Sequence, residues 1–560
     1  MKPLSTRHGM ALLVAAFSLS AIFSGEILTV NGGFGWDGTR YAAIAKDFGP
    51  EVFGRKLDAY RMQRIAPSGA VHYGLRLLGL STADDAHILR GFQVYNMLLL
   101  IAGVYAWHGI AARLGLGPRG LWLGFAAMYV NFAVLKMTFF SPVLTDTTAL
   151  VAGMFLLYGH LAGHAWLVWL VGLAGAFTWP LLLPLALVLL AFPRGAGPPD
   201  VPAGRLPARW WIAGGSAVAV AAAWRVVVVG QTIDGAGPIW YSWAPLAAVL
   251  VCAYLAAATW WLIDRQALAR LRRVLAEPQQ RGVPNEHSRF GDGTEQTAGN
   301  ALRGVPERGL AASRAIHGTP RRAFPTGHRP RITQDHLAAL ALAAAVAALR
   351  TFVFVPSAEP GYTVKQYLCA VLVSSVAKPG VFFVAHVVYF GPIVVAAILL
   401  WPRVCERIRG QGPGVVILAG TAVVLSIGSE SRQLVSFLPL VAAFTVPAID
   451  ELPRARWHDV VFLAAGLVAS KCWLPLNHGP TTGNLLEFPD QLYFMNQGPW
   501  MSDGMYLAQG MIVLAMAAAL AWMKREREPN TALCTGGAGA TLRGRGSEAS
   551  PRCPRGAFPS

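Results

Sequence analysis

The sequence predicts an all-α, polytopic membrane protein with about 14 transmembrane or partly spanning helices and both termini cytoplasmic, and three observations carry that prediction. Hydrophobic residues make up 54% of the 560 residues and charged ones only 14%, with a mean hydropathy of +0.45, which is more apolar than a soluble domain of this size tolerates. Apolar runs of about 20 residues recur, each long enough to cross roughly 30 Å of hydrocarbon as a helix. The runs are continuously apolar rather than alternating, which argues against a membrane barrel. The formal charge of +18 comes from arginines clustered between apolar runs, a topology signal rather than a nucleic-acid footprint.

In chain order the expected spans lie near 10–30, 88–111, 120–140, 143–162, 165–177, 180–192, 210–230, 239–263, 336–355, 380–402, 414–428, 433–448, 459–476 and 505–523. The first follows Lys2, Arg7 and His8. Both a cleavable signal peptide and a retained anchor fit it; its length and the spans behind it favour the anchor. The stretch 165–192 is long for one helix and is broken by "TWP" at 178–180, so it reads as one span or as two short helices meeting at the outer face. The two-helix reading places every basic connector inside: Arg113 and Arg119, Arg194, Arg205 and Arg209, the 264–335 segment, "RVCERIRG" (403–410), "RARWHD" (454–459) and "KRERE" (524–528). The outer face then receives 31–87, 141–146, 231–238, 356–379, 428–432 and 477–504.

This divides the chain into an N-terminal membrane region, 1–263, with its first outer loop at 31–87, and a C-terminal membrane region, 336–523. Between and after them lie a basic cytoplasmic segment, 264–335, and a tail, 524–560. Both are expected to be disordered because they are poor in apolar side chains. The six cysteines have no paired spacing and predict neither a disulfide framework nor a zinc site. No internal repeat of the transporter kind is evident.

The chemically interesting residues gather in the outer loops. "GWDGTRY" places Asp37 after the first span among Gly32, Gly33, Gly35 and Gly38. Asp37 reads either as the cap of a helix at 39–47 or as a partly desolvated carboxylate able to take a proton from a hydroxyl. In "YRMQRIAP" Arg61 and Arg64 stand three apart, on one face of a helical turn, where a guanidinium pair can grip lipid phosphate. The plain alternative is that they snorkel, or pair with Asp47 and Asp58. Asp146, in "SPVLTD", either caps the next span or joins the site. Glu430 and Arg432, in "GSESRQLVSFLPL", either neutralise each other or face a cavity. Arg225 and Arg350 approach the outer ends of their spans and can contact phosphate or snorkel. Glu26 and His386 are weaker candidates, a buried histidine more often being a hydrogen-bonded core residue. The loop 477–504, rich in Asn, Gln and aromatic residues, suits sugar stacking or any interfacial loop.

These residues resemble the GT-C superfamily of integral-membrane glycosyltransferases, in particular its bacterial polyprenyl-phosphate-sugar-dependent branch. The resemblance rests on Asp37, Gly38 and Tyr41 as D-G-x-x-Y, on Tyr60, Arg61, Arg64 and Pro67 as Y-R-x-x-R-x-x-P, on Ser141, Pro142 and Asp146 as S-P-x-x-x-D, and on "ESRQLVSFLPL". It covers roughly 31–447, and the order and common sidedness of the motifs carry it. It implies an inverting hexosyl- or pentosyl-transferase of the bacterial cytoplasmic (inner) membrane with its active site on the periplasmic or outer side. The sugar would pass from a polyprenyl-phosphate donor to a glycan or lipid-linked acceptor. Partners would be those two substrates and membrane lipids, with no nucleic acid. The resemblance implies a role for Asp37 alone, as catalytic base or metal-associated carboxylate; the reading of the residues themselves adds Tyr41, Arg61, Arg64, Asp146, Glu430, Arg432, Arg225 and Arg350 as candidates for binding substrate or lipid phosphate. A divalent metal, Mg or Mn, is an open option, because relatives often carry D-x-D where this chain has Asp-Gly-Thr. A glycan polymerase or ligase is the nearer alternative, and a transporter or flippase of lipid-linked sugars the more distant one.

Overall fold

The computed structural model describes residues 6–192, 243–262, 334–358, 361, 366, 371–372, 374–452, 456–477, 501 and 503–525. The expected span 210–230 with Arg225, the basic residues Arg194, Arg205 and Arg209, nearly all of the 264–335 segment, most of the 477–504 loop and the tail beyond 525 lie outside the described residues. Every regular element among those described is a helix: α1 (Thr6–Ser24), α2 (Gly38–Lys46), α3 (Phe48–Val52), α4 (Ala59–Met62), α5 (Ile65–Leu77), α6 (Asp85–Arg113), α7 (Pro118–Tyr129), α8 (Thr138–Phe140), α9 (Asp146–Ala162), α10 (Ala165–Gly175), α11 (Leu182–Ala191), α12 (Ala244–Leu262), α13 (Gln334–Ala348), α14 (Val381–Phe390), α15 (Pro392–Leu399), α16 (Trp401–Gly410), α17 (Pro413–Leu425), α18 (Leu438–Asp450), α19 (Arg456–Ser470) and α20 (Asp503–Arg525).

Five described helices are long and apolar enough to cross a membrane, and six if the bent pair at 118–140 is one span. Six shorter apolar helices, of 10–17 residues, lie among them. The architecture is that of a multi-pass membrane protein, and its surface agrees: Phe23, Leu77, Phe352, Leu514 and Trp166 are all exposed, side chains that lipid rather than water can cover.

Several expected spans are broken, each for a local reason. Instead of one helix over 120–140, the chain bends by 53° after α7. Asn131 sits at the break, where its amide donates to the carbonyls of Ala127 and Met128 at 3.0 and 2.9 Å and accepts from the Val134 N–H at 3.1 Å. One side chain thus satisfies backbone groups on both sides of the bend, which is what an interrupted helix in apolar surroundings needs. The expected span 380–402 is interrupted at Gly391, whose φ of +78° precedes Pro392 at the first position of α15; neither residue continues α14. "RVCERIRG" is not a plain connector but most of α16, which buries Val404, Cys405 and Ile408 and turns its charges outward, the pattern of a helix lying along an interface. The first span ends at Ser24, short of residue 30.

Residues 165–192 form two short helices. A methyl added at Gly172 would stand 2.6 Å from Ala186 Cβ, and one at Gly175 would stand 2.6 Å from Leu182 Cβ. Such pairing, rising on one side and falling on the other, belongs to an antiparallel hairpin held closely by glycine.

The connectors sort into two ends. Arg119, opening α7, forms a bidentate pair with Asp459 at 2.7–3.0 Å and reaches Asp450 at 3.6 Å, while Arg407 of α16 pairs with Glu451. The other end gathers the first loop, the 141–146 turn and 428–432.

Candidate functional site

The first loop is shaped before it is charged. Asn31 and Gly32 adopt left-handed backbone, Gly33 and Gly35 have φ of +100° and +71°, and Asn31 closes the turn by donating to the Gly35 carbonyl at 2.8 Å. This delivers Asp37 to the start of α2. A Cβ on Gly38 would touch Val143 at 3.4 Å, so the glycine lets the first loop lie directly on "SPVLTD". That turn is itself pinned by Asn96 of α6, which donates to the carbonyls of Thr138 and Pro142 at 3.2 and 2.8 Å.

Helix α2 packs on α5, with the Ser68 hydroxyl donating to the Tyr41 carbonyl at 2.9 Å and the His72 ring to the Ala45 carbonyl at 2.8 Å. Asp37 occupies the capping position of α2, yet its side chain makes no capping bond. Its carboxylate lies 3.7 Å from Arg432 and is 58% exposed, so the expected desolvation of Asp37 is not found. The desolvated carboxylate is Asp146, 11% exposed; it opens α9 without a capping bond.

Arg61 and Arg64 do not share a helix face, as the spacing predicted. The Asp58 carboxylate accepts from the Arg61 N–H at 2.8 Å and caps α4. That helix stops at Met62, and Arg64 begins the next one from φ −133°. Arg61 pairs with Asp58 at 2.9 Å and is partly exposed. Arg64 turns inward and is fully buried. Its guanidinium donates to the Tyr41 hydroxyl at 3.0 Å and lies over the Tyr60 ring at 4.4 Å and the Trp179 ring at 4.7 Å, within cation–π range of both. Its Nε has no hydrogen-bond partner among the described residues. Burial raises the Tyr41 and Tyr60 hydroxyls, Tyr60 to about 12, against the opposing charge of Arg64; both are neutral donors at physiological pH.

Arg350 binds the turn beside this cluster. It donates to the Ala176 carbonyl at 2.9 Å and lies over Phe177, and the Phe177 carbonyl accepts from the Ala66 N–H at 2.8 Å. Arg350 therefore braces the turn that carries Trp179.

The other half of the site comes from 428–437. Its 3₁₀ turn Ser431–Phe437 lies on α9 at Gly153, where any Cβ would overlap the Ser436 carbonyl. Arg432, buried, is 3.5 Å from Asp146, 3.7 Å from Asp37 and 3.8 Å from Glu430. Glu430 and Arg432 thus do not merely neutralise each other: one guanidinium gathers three carboxylates from distant parts of the chain. Burial raises the Glu430 carboxyl above its ordinary range, and Arg432 opposes the shift. His386 of α14 fixes the turn. Its Nε2 is 2.7 Å from the Ser426 carbonyl and its Nδ1 is 3.0 Å from the Ser431 hydroxyl. A carbonyl only accepts, so Nε2 carries the proton and Nδ1 accepts from Ser431. His386 is the hydrogen-bonded core histidine that the sequence favoured. Glu26 binds Lys136 at 2.6 Å and accepts from the Leu476 N–H at 2.6 Å, a structural tie away from the site.

Two further residues belong to the site. Trp179 had a faint signal, since "FTWP" interrupts an apolar run. Tyr389 had none: it lies inside "VAHVVYFGP", fully buried, with a hydroxyl lacking any hydrogen-bond partner among the described residues.

The residues present do not fit a divalent metal. Among the described residues no three His, Cys, Asp or Glu side chains are grouped to hold one, and the point where three carboxylates converge is taken by the Arg432 guanidinium. Behind the 431–437 turn lies an apolar cavity of about 280 Å³, lined by Tyr254, Phe382, His386, Trp401, Leu434 and Phe437 among others. Compared with known proteins, the chain matches no family model, no curated protein and no solved structure.

Proposed function

We propose that the protein is a membrane glycosyltransferase that moves a sugar from a polyprenyl-phosphate donor to a glycan or lipid-linked acceptor. The observation that carries this reading is the convergence of Asp37, Asp146 and Glu430 on Arg432, with the buried Arg64 joined to the same cluster through Tyr41. Carboxylates beside fixed cationic donors suit a reaction in which one oxygen loses a proton while another gains negative charge. The apolar cavity supports the reading further, because Leu434 and Phe437 line it on the same short turn that bears Arg432. A prenyl chain would have space behind that turn.

In the proposed reaction an acceptor hydroxyl attacks the anomeric carbon from the face opposite the phosphate. Asp37, the exposed carboxylate, takes the hydroxyl proton. The bond from the anomeric carbon to the phosphate oxygen breaks with its electron pair on the oxygen, and Arg64 stabilises the polyprenyl phosphate released while Arg432 holds the carboxylates in place. The configuration inverts. Arg61 is dropped from the phosphate grip because Asp58 holds it. The active side is proposed to be the periplasmic or outer face of a bacterial cytoplasmic membrane.

Deletion of the gene, followed by profiling of cell-surface glycan and lipid-linked intermediates, tests the class. A missing sugar with its polyprenyl-phosphate donor accumulating is expected. An intact glycan, or vesicle uptake without transfer, would overturn it. Asp37→Asn should lower transfer by about 10²–10⁴-fold, the usual share of a general base, measured in membranes with equal protein; full synthesis by this variant would remove Asp37 from the role and favour a polymerase or ligase.

A further inference from the structure

The site has two chemically different poles. Arg64, with Tyr41, Tyr60 and Trp179, is cationic and aromatic. Around Asp146 the balance is reversed. Both Asp146 oxygens are buried and have no hydrogen-bond partner among the described residues, although Arg432 stands 3.5 Å away as an ion-pair partner, and the Nε of Arg432 likewise has none among them. The Tyr389 ring is fixed edge-on by Phe132 at 5.7 Å and by Phe390 at 5.0 Å, on a helix, α14, that packs against the 431–437 turn. Its hydroxyl is buried, without a hydrogen-bond partner among the described residues, and the same helix holds the turn that bears Arg432 through His386 and Ser431 at 3.0 Å. Ser429, next to Glu430, is likewise buried and without a hydrogen-bond partner among the described residues.

A buried polar group left without a hydrogen bond is destabilising, so several together at a candidate site call for a ligand that supplies both donors and acceptors. An anion is disfavoured here by three carboxylates. A cation is disfavoured because Arg432 already fills that part. What remains is a neutral polyol, whose hydroxyls donate to carboxylate oxygens and accept from a phenol or a guanidinium.

We infer that Asp146 and Tyr389 form a sugar subsite that binds ring hydroxyls of the glycosyl group being transferred, while the phosphate of the donor lies towards Arg64. This rests on the glycosyltransferase reading and adds to it which side chains hold the sugar. Tyr389 is then a substrate-binding residue that no motif of the sequence marks.

The test uses the purified full chain in detergent and two probes: bare polyprenyl phosphate, and the lipid-linked sugar that accumulates when the gene is deleted. Intrinsic tryptophan fluorescence reports binding. Tyr389→Phe and Asp146→Asn should each weaken the sugar-bearing lipid by about tenfold or more and leave bare polyprenyl phosphate within about twofold; Arg64→Gln should weaken both. The loss of one hydroxyl in Tyr389→Phe keeps the ring packing, and an unchanged melting temperature checks that the variant is folded. Equal weakening of the two probes, or no weakening of either, in Tyr389→Phe and Asp146→Asn would overturn the subsite. If the unmodified chain binds neither probe, the glycosyltransferase reading itself fails, an outcome distinguishable from loss of the subsite alone.

Discussion

At the scale of single residues, the site depends on how two arginines are held. Arg64 lies over two aromatic rings at 4.4 and 4.7 Å, where a planar, weakly hydrated guanidinium is better suited than an ammonium. Each face contact is worth about 0.5–2 kcal/mol. Arg64→Lys should therefore lower transfer at least about tenfold even though the charge is kept, measured as kcat/KM with the lipid-linked donor; activity within twofold of the original chain would show that charge alone suffices. Arg432 is held differently, by carboxylates on three sides and by His386 through its neighbour Ser431. That histidine is fully committed to hydrogen bonds, so its contribution is to the shape of the turn.

At the scale of elements, the site exists because two segments can touch. Gly153 on α9 meets the Ser436 carbonyl, and this contact sets how near Arg432 comes to Asp146. Gly153→Val should force the two segments apart, lowering stability by about 1–3 kcal/mol as overpacking commonly does, seen as a reduced melting temperature in detergent, with a loss of transfer beyond what the fraction unfolded explains. Gly153→Val with unchanged melting and transfer would mean that the contact is dispensable. Such contacts also show what was legible beforehand. The glycine-rich approach to Asp37 and the "TWP" break could be read from residue types, because positive φ and proline restrict the backbone locally. The break at Asn131 was hidden, because an asparagine within an apolar run does not announce that it will span a bend, whereas the break at Gly391 carried a local signal in the Gly391-Pro392 pair. Arg61 and Arg64 misled because a three-residue spacing says nothing about whether the helix lasts that long, and Asp58, by capping α4, began a helix that ends at Met62.

At the scale of the whole molecule, the expected grouping of connectors is reflected in direct contacts. Arg119 and the 454–459 connector were assigned to the same side by charge alone, and the Arg119 pair with Asp459 joins them. Helix α18, 13 residues long, runs from the 431–437 turn to Asp450 and so sets that end about 20 Å from the turn at 1.5 Å per residue. Arg119→Ala should lower thermal stability by about 1–3 kcal/mol, the range for charge-assisted hydrogen bonds, and leave the KM for the donor unchanged; a shifted KM at equal folded fraction would reveal coupling between the ends. The site itself was only partly legible at this scale. Position along the chain could place Asp37, Asp146, Glu430 and Arg432 near one end, but which of them meet depends on packing that no local pattern encodes, and Tyr389 was invisible for that reason. The same packing has a consequence for how the protein is made. Asp37 and Asp146 leave the ribosome long before Arg432 is synthesised, so the early helices must enter the membrane with these acids unmatched. Ribosome-bound chains that end before residue 432 should therefore hold their first helices loosely, and the bundle should lock only when the late turn arrives.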